Sequence, residues 1–81
     1  MNDNRISHWR RILEQARTNN PDWVNSGRIY TKLTAKQTCS DIRAGRRIQG
    51  IQPNELFDAD YRPAEQQPGE YEVFVRLTTP A

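Results

Sequence analysis

The chain reads as an α+β domain: two helices packed on one face of a small three-stranded antiparallel sheet, in the order helix-strand-helix-strand-strand. Three observations predict this. Ile6, Trp9, Ile12, Leu13 and Ala16 recur at helical spacing. Thr34-Ala35-Lys36-Gln37 has the form of a capping box opening a second helix. Residues 56–62 and 71–77 alternate apolar and polar side chains across a loop broken by two prolines and a glycine. So small a sheet cannot bury its apolar face alone, which assigns both helices to one side of it.

In the first helix, Arg10, Arg11, Glu14 and Arg17 lie opposite the apolar stripe, Asn2, Asp3 or Asn4 can cap the start, and Asn19-Asn20-Pro21 ends the helix. Trp23-Val24 begins an extended stretch, and Asn25-Ser26-Gly27 is turn chemistry. Arg28 to Leu33 reads as a strand, with Ile29, Thr31 and Leu33 inward and Tyr30 on the other face. In the second helix Ala35, Thr38, Cys39 and Ile42 form a stripe of mostly small residues, and Gly45 stands where a left-handed C-cap belongs. Residues 48–54 are a connector. The closing strands form a hairpin around the loop 63–69, with Phe57, Ala59 and Tyr61 on one face and Asp58 and Asp60 on the other. The expected core is Trp9, Ile12, Leu13, Trp23, Ile29, Leu33, Cys39, Ile42, Phe57, Tyr61, Tyr71, Val73 and Val75.

At 81 residues the chain holds one domain, 1–81, with 78–81 expected to be a flexible tail. Apolar residues make up 35% and charged residues 27%, and no apolar run reaches the ~18–20 residues that span a bilayer. Met1-Asn2-Asp3-Asn4 opens polar, with no apolar run after it, so no secretory leader is expected and the expected location is the cytoplasm. One cysteine, Cys39, excludes an internal disulfide, and one histidine, His8, excludes a multi-histidine metal site.

The net charge of +2 conceals a division. Residues 1–48 carry ten Lys/Arg against four acids, and residues 49–81 carry two against six. The basic half points to an anionic partner, unless the two halves attract each other within the fold.

Pro21-Asp22-Trp23-Val24, Leu33-Thr34-Ala35, Ile42-Arg43-Ala44-Gly45-Arg46-Arg47, Glu55-Leu56-Phe57-Asp58-Ala59 and Tyr71-Glu72-Val73-Phe74-Val75-Arg76-Leu77 follow one another in a diffuse pattern over about residues 9–77. In that pattern the chain resembles a group of small, uncharacterised α+β proteins of actinobacteria and their phages. The resemblance rests on caps, core and basic surface. It implies a phage or prophage-type accessory protein in the cytoplasm of a bacterial host cell, and transfers no site.

Three kinds of function remain. The first is non-enzymatic binding of a host protein whose activity is thereby modulated. Its candidate surface is Asp58, Asp60, Glu70, Glu72 and Phe74, an acidic hairpin face with an aromatic on it. The second is nucleic-acid binding through Arg28, Lys32, Lys36, Arg43, Arg46 and Arg47, since cations that converge on phosphates release condensed counterions. A winged-helix reading is set aside, because the loop that would be the wing tip carries Glu65 and no cation. The third is a homo-oligomeric structural component, with a homodimer seam on whichever sheet face is left bare; Tyr30 and Phe74 are expected opposite Tyr71. No catalytic set, metal site, cofactor or membrane partner is expected. His8 has no second imidazole beside it, Cys39 sits on an apolar stripe, and no glycine-rich phosphate loop occurs.

Overall fold

A computed structural model describes residues 4–45 and 50–80 of the chain. The elements are α1 (Asn4–Thr18), β1 (Val24–Tyr30), α2 (Lys32–Ala44), β2 (Leu56–Pro63) and β3 (Tyr71–Thr79). The strands form one antiparallel sheet in the spatial order β1-β3-β2. Both helices pack on the side of the sheet that carries Val73, Val75 and Leu77, and one continuous core joins all five elements. This is the predicted architecture and element order.

The α1 stripe is buried as its spacing requires: Trp9, Ile12, Leu13 and Ala16. The small residues Ala35 and Cys39 are fully buried and let α2 lie close on β2. Gly45 ends α2 in the left-handed region at φ 71°, and its N–H donates to the Asp41 and Ile42 carbonyls.

Several local expectations are corrected. The helix cap is Thr31, not Thr34. Thr31 Oγ1 accepts from the Thr34 N–H at 3.2 Å, and Gln37 donates to Asp41 at 3.1 Å instead of reaching back. The helix therefore begins at Lys32. It takes Thr31 and Leu33 out of the expected strand and leaves Leu33 in an exposed first turn. Asn25-Ser26-Gly27 is not a turn between elements but lies within β1. Between Asn25 and Ile29 the strand runs four residues while β3 runs two, from Phe74 to Glu72, so β1 bulges there. Gly27 supplies the left-handed residue at φ 80°.

Val24, Ser26 and Tyr30 take the inward positions, which turns Ile29 outward and removes it from the core. Tyr30 pairs with Tyr71, so it shares the face of Tyr71 and does not oppose it. Trp23 is also outside the core, half-buried on the helix-free side against Arg76. Tyr61 and Tyr71 flank the core, edge to face at a ring separation of 5.8 Å. β3 runs on to Thr79, which pairs with Leu56, and Thr78 Oγ1 donates to the Leu56 carbonyl, so 78–79 are strand and not tail. Of the candidate residues, Arg46 and Arg47 lie outside the described residues, as do Asn2 and Asp3 among the possible α1 caps.

Candidate partner-binding face

Cross-strand pairing fixes which side chains share the face opposite the helices. Partners in an antiparallel pair point the same way. Two rows therefore cross all three strands on that side: Ile29–Glu72–Arg62, then Asn25–Phe74–Asp60. The next pair along β3 and β2 is Arg76–Asp58, with Trp23 beneath the Arg76 guanidinium. The chain measures 37 × 33 × 20 Å, and its short axis is one sheet and one helix layer deep. Both helices lie on the other side of the sheet from these rows.

The face is laced by stacked cations and ion pairs. The Arg76 guanidinium sits 4.6 Å from the Trp23 ring centre and 3.8 Å from Asp58. That of Arg62 sits 5.2 Å from the Phe74 ring centre and 4.0 Å from Asp60. A cation stacked on a ring contributes about 0.5–1 kcal/mol at an exposed site. At the hairpin end the face becomes concave. The loop 64–70 folds back on itself through Ala64 N–H to the Glu70 carbonyl at 2.8 Å and Glu70 N–H to the Gln67 carbonyl at 3.0 Å, with Ala64 as a buried anchor. It walls an open cavity of about 650 Å³ whose floor is Ile29 and Phe74 and whose rim includes Arg62, Glu65, Gln66, Gln67 and Glu72.

The expected partner-binding residues are thus partly gathered. Asp58, Asp60, Glu72 and Phe74 share the face, and Glu70 stands beside it at the foot of β3. Trp23, Ile29, Arg62 and Arg76 also belong to it. Arg62 and Arg76 follow from the alternation of β2 and β3, whereas Ile29 and Trp23 had no local signal, because their placement depends on the register and bulge of β1.

The candidate phosphate-binding residues within the described chain lie on α2 and β1, and one of them is engaged inside the fold. Arg43 turns onto β2, donating to Asp58 at 3.2 Å and to the Ala59 carbonyl. Lys36 is exposed on α2, Lys32 opens that helix, and Arg28 lies in the bulge of β1 at the far edge of the sheet. Arg43–Asp58 and Arg17–Glu55 join the basic and acidic halves of the chain, so part of the charge division is satisfied inside the fold.

The two groups considered for catalysis sit elsewhere. Cys39 is fully buried, and burial pushes its thiol up to about 11, which keeps it protonated at neutral pH. His8 lies edge-on to Trp9 at 5.6 Å, with its Nε2 buried and unpartnered among the described residues. Burial, and then Arg28 and Arg11, hold its pKa below the usual imidazole value. Among the described residues no three His, Cys, Asp or Glu side chains cluster as metal ligands, and no helix is long and apolar enough to cross a membrane. No protein family, curated protein or solved structure matches the chain.

Proposed function

We infer that the chain is a non-enzymatic binding module that takes a protein partner on the helix-free face of its sheet. In the phage or prophage setting that the sequence resemblance implies, the partner is a host protein whose activity the bound chain modulates. One observation carries this reading: Trp23, Ile29 and Phe74 stand among arginines and carboxylates on an uncovered face that ends in a cavity. Aromatic and arginine side chains with a large contact area are the residues that anchor protein interfaces. Nucleic-acid binding has less support. Arg43 is engaged by Asp58, and of the other described candidates Arg28 lies on the edge strand β1 while Lys32 and Lys36 lie on α2.

The test is affinity capture from bacterial lysate with the wild-type chain, Ile29→Glu on the proposed face, and Leu33→Glu in the exposed first turn of α2. Expected is a protein retained by the wild type and by Leu33→Glu but lost with Ile29→Glu. Retention that survives Ile29→Glu and disappears with Lys36→Glu and Arg28→Glu overturns the reading in favour of the basic side. Capture of nucleic acid alone does the same.

A further inference from the structure

The charges around the cavity are unbalanced, and the imbalance identifies what fits there. Glu72 is the middle residue of the row Ile29–Glu72–Arg62, and an ion pair with Arg62 is the expected cross-strand contact. Arg62 does not make it. Its guanidinium is turned along the face to the Phe74 ring and to Asp60. Among the described residues Glu72 keeps only the Asn25 amide, at 3.3 Å. Glu65 on the rim and Glu70 beside it have no cationic partner among the described residues. The cavity thus combines an apolar floor with carboxylates that make no ion pair among the described residues, the one cation of its lining, Arg62, being turned to Asp60.

That combination suits an arginine or lysine side chain: its methylene stem can lie on Ile29, beside the Phe74 ring that Arg62 stacks on, while its head meets Glu72 and Glu65. The same carboxylates repel phosphate, which excludes the nucleic-acid backbone as occupant.

We propose that the cavity between the 64–70 loop and the Ile29–Glu72–Phe74 floor is a subsite for a basic side chain of an extended polypeptide partner. The proposal rests on the protein-binding reading above and gives it a chemical preference. The carboxylates steer the partner in and the apolar floor retains it, so salt weakens binding chiefly through slower association.

The probes are the acetylated, amidated pentapeptide Leu-Arg-Leu-Arg-Leu and its counterparts with glutamate or citrulline in place of arginine. The readout is an amide chemical-shift titration of the full chain to about 1 mM peptide, a range suited to weak binding of short peptides. Expected are shifts confined to the amides of residues 29, 62, 64–67 and 70–74 with the arginine peptide, weakened about tenfold in Glu65→Gln/Glu72→Gln, and no shifts with the glutamate peptide. Glu65 is exposed and Glu72 half-buried, both outside the core, so a spectrum that keeps its dispersion shows that the fold has survived. Equal shifts of these residues with the citrulline or glutamate peptide overturn the charge preference while leaving the face as a binding surface. Shifts elsewhere, or none, overturn the subsite. If these residues shift with chain concentration in the absence of peptide, the occupant is a second copy of the chain and the proposal fails in that direction.

Discussion

Arg17 grips Glu55 with two donors: its Nε is 2.7 Å from Oε2 and its Nη2 is 2.8 Å from Oε1. The same Nη2 reaches the Gly50 carbonyl, Glu55 Oε1 also accepts from the Gln52 N–H at 2.8 Å, and the guanidinium lies 5.6 Å from the Phe57 ring centre. One side chain of α1 thereby fastens both ends of the segment 50–55 that leads into β2. The Glu55 side chain is 3% exposed and that of Arg17 25%. Deleting the cation strands a buried carboxylate, which costs a few kcal/mol when a group of that kind loses its partner. Arg17→Met is expected to destabilise the fold by about 2–3 kcal/mol in urea denaturation. Arg17→Lys is expected to recover less than half of that, because an ammonium cannot make the paired contact and reach Gly50 as well. Full recovery by lysine would mean that charge alone matters.

The same pair sets an acid limb. The hydrogen bonds from Arg17 outweigh the effect of burial and hold the Glu55 carboxyl below its usual range. A depressed carboxylate contributes stability that is present above the unfolded pKa and is lost as pH falls through the folded one. Stability is therefore expected to decline below about pH 4.5. The decline should be shallower in Glu55→Gln, which starts from a lower plateau. Parallel curves for the two proteins would refute the assignment.

His8 governs a separate, higher window. Its imidazole is held below the usual value by burial and by Arg28 and Arg11, with the Ser26 backbone opposing. The unfolded chain then binds the proton more readily than the folded one. Stability is full above about pH 6.5 and falls as pH drops towards the folded pKa. The urea midpoint of the wild type should rise from about pH 5 to about pH 8, and that rise should vanish in His8→Gln. A midpoint that instead falls over this interval would mean that the charged imidazole is stabilised.

How much of this could be seen in the sequence depended on whether a signal was local. The α1 stripe, the Gly45 cap and the β2–β3 hairpin were legible because each is written in spacing or in a single residue type. β1 was not. Val24, Ile29 and Tyr30 are too few and too irregularly spaced to fix a phase, and Asn25-Ser26-Gly27 suits a bulge as well as a turn. Pairing with β3, far away in sequence, decides between them. The candidate face was half legible for the same reason. Alternation put Asp58 with Asp60, and Glu72 with Phe74, whereas Ile29 and Trp23 joined them only through the register of β1. The burial of Glu55 had no local signal, since the residue that makes it tolerable lies 38 positions away.

The displaced start of α2 gives a clean discrimination. Thr31 Oγ1 accepts from the Thr34 N–H at 3.2 Å and donates to Thr34 Oγ1 at 3.0 Å. Thr31→Ala is expected to cost about 1 kcal/mol, the usual price of a lost N-cap. Thr34→Ala should be close to neutral, because it removes one exposed hydrogen bond and introduces a better helix former. Thermal denaturation of the two variants checks this. The reverse order of stabilities would restore Thr34 as the cap.

β2 is an edge strand, and three of its outward backbone groups are met by side chains of the chain itself. Ala59 N–H donates to Asp58 Oδ1 at 2.8 Å, Tyr61 N–H donates to Asp60 Oδ1 at 2.9 Å, and the Ala59 carbonyl accepts from Arg43. An edge with free donors and acceptors is a template for adding another strand, and here those groups are occupied and flanked by charge. Asp58→Ala/Asp60→Ala should free two N–H groups and loosen Arg43 while leaving the buried core untouched. The expected outcome is a stability loss of about 1 kcal/mol or less per site, typical of exposed polar pairs, together with concentration-dependent self-association in sedimentation velocity. A variant that stays at the wild-type sedimentation coefficient at every concentration would show that these contacts do not guard the edge. Charge restored by Ala59→Lys on the doubly substituted chain is not an adequate control, because Ala59 is buried in the core. Asp58→Lys/Asp60→Lys, which keeps charge on the edge strand without the short capping carboxylates, tests whether charge alone can guard it.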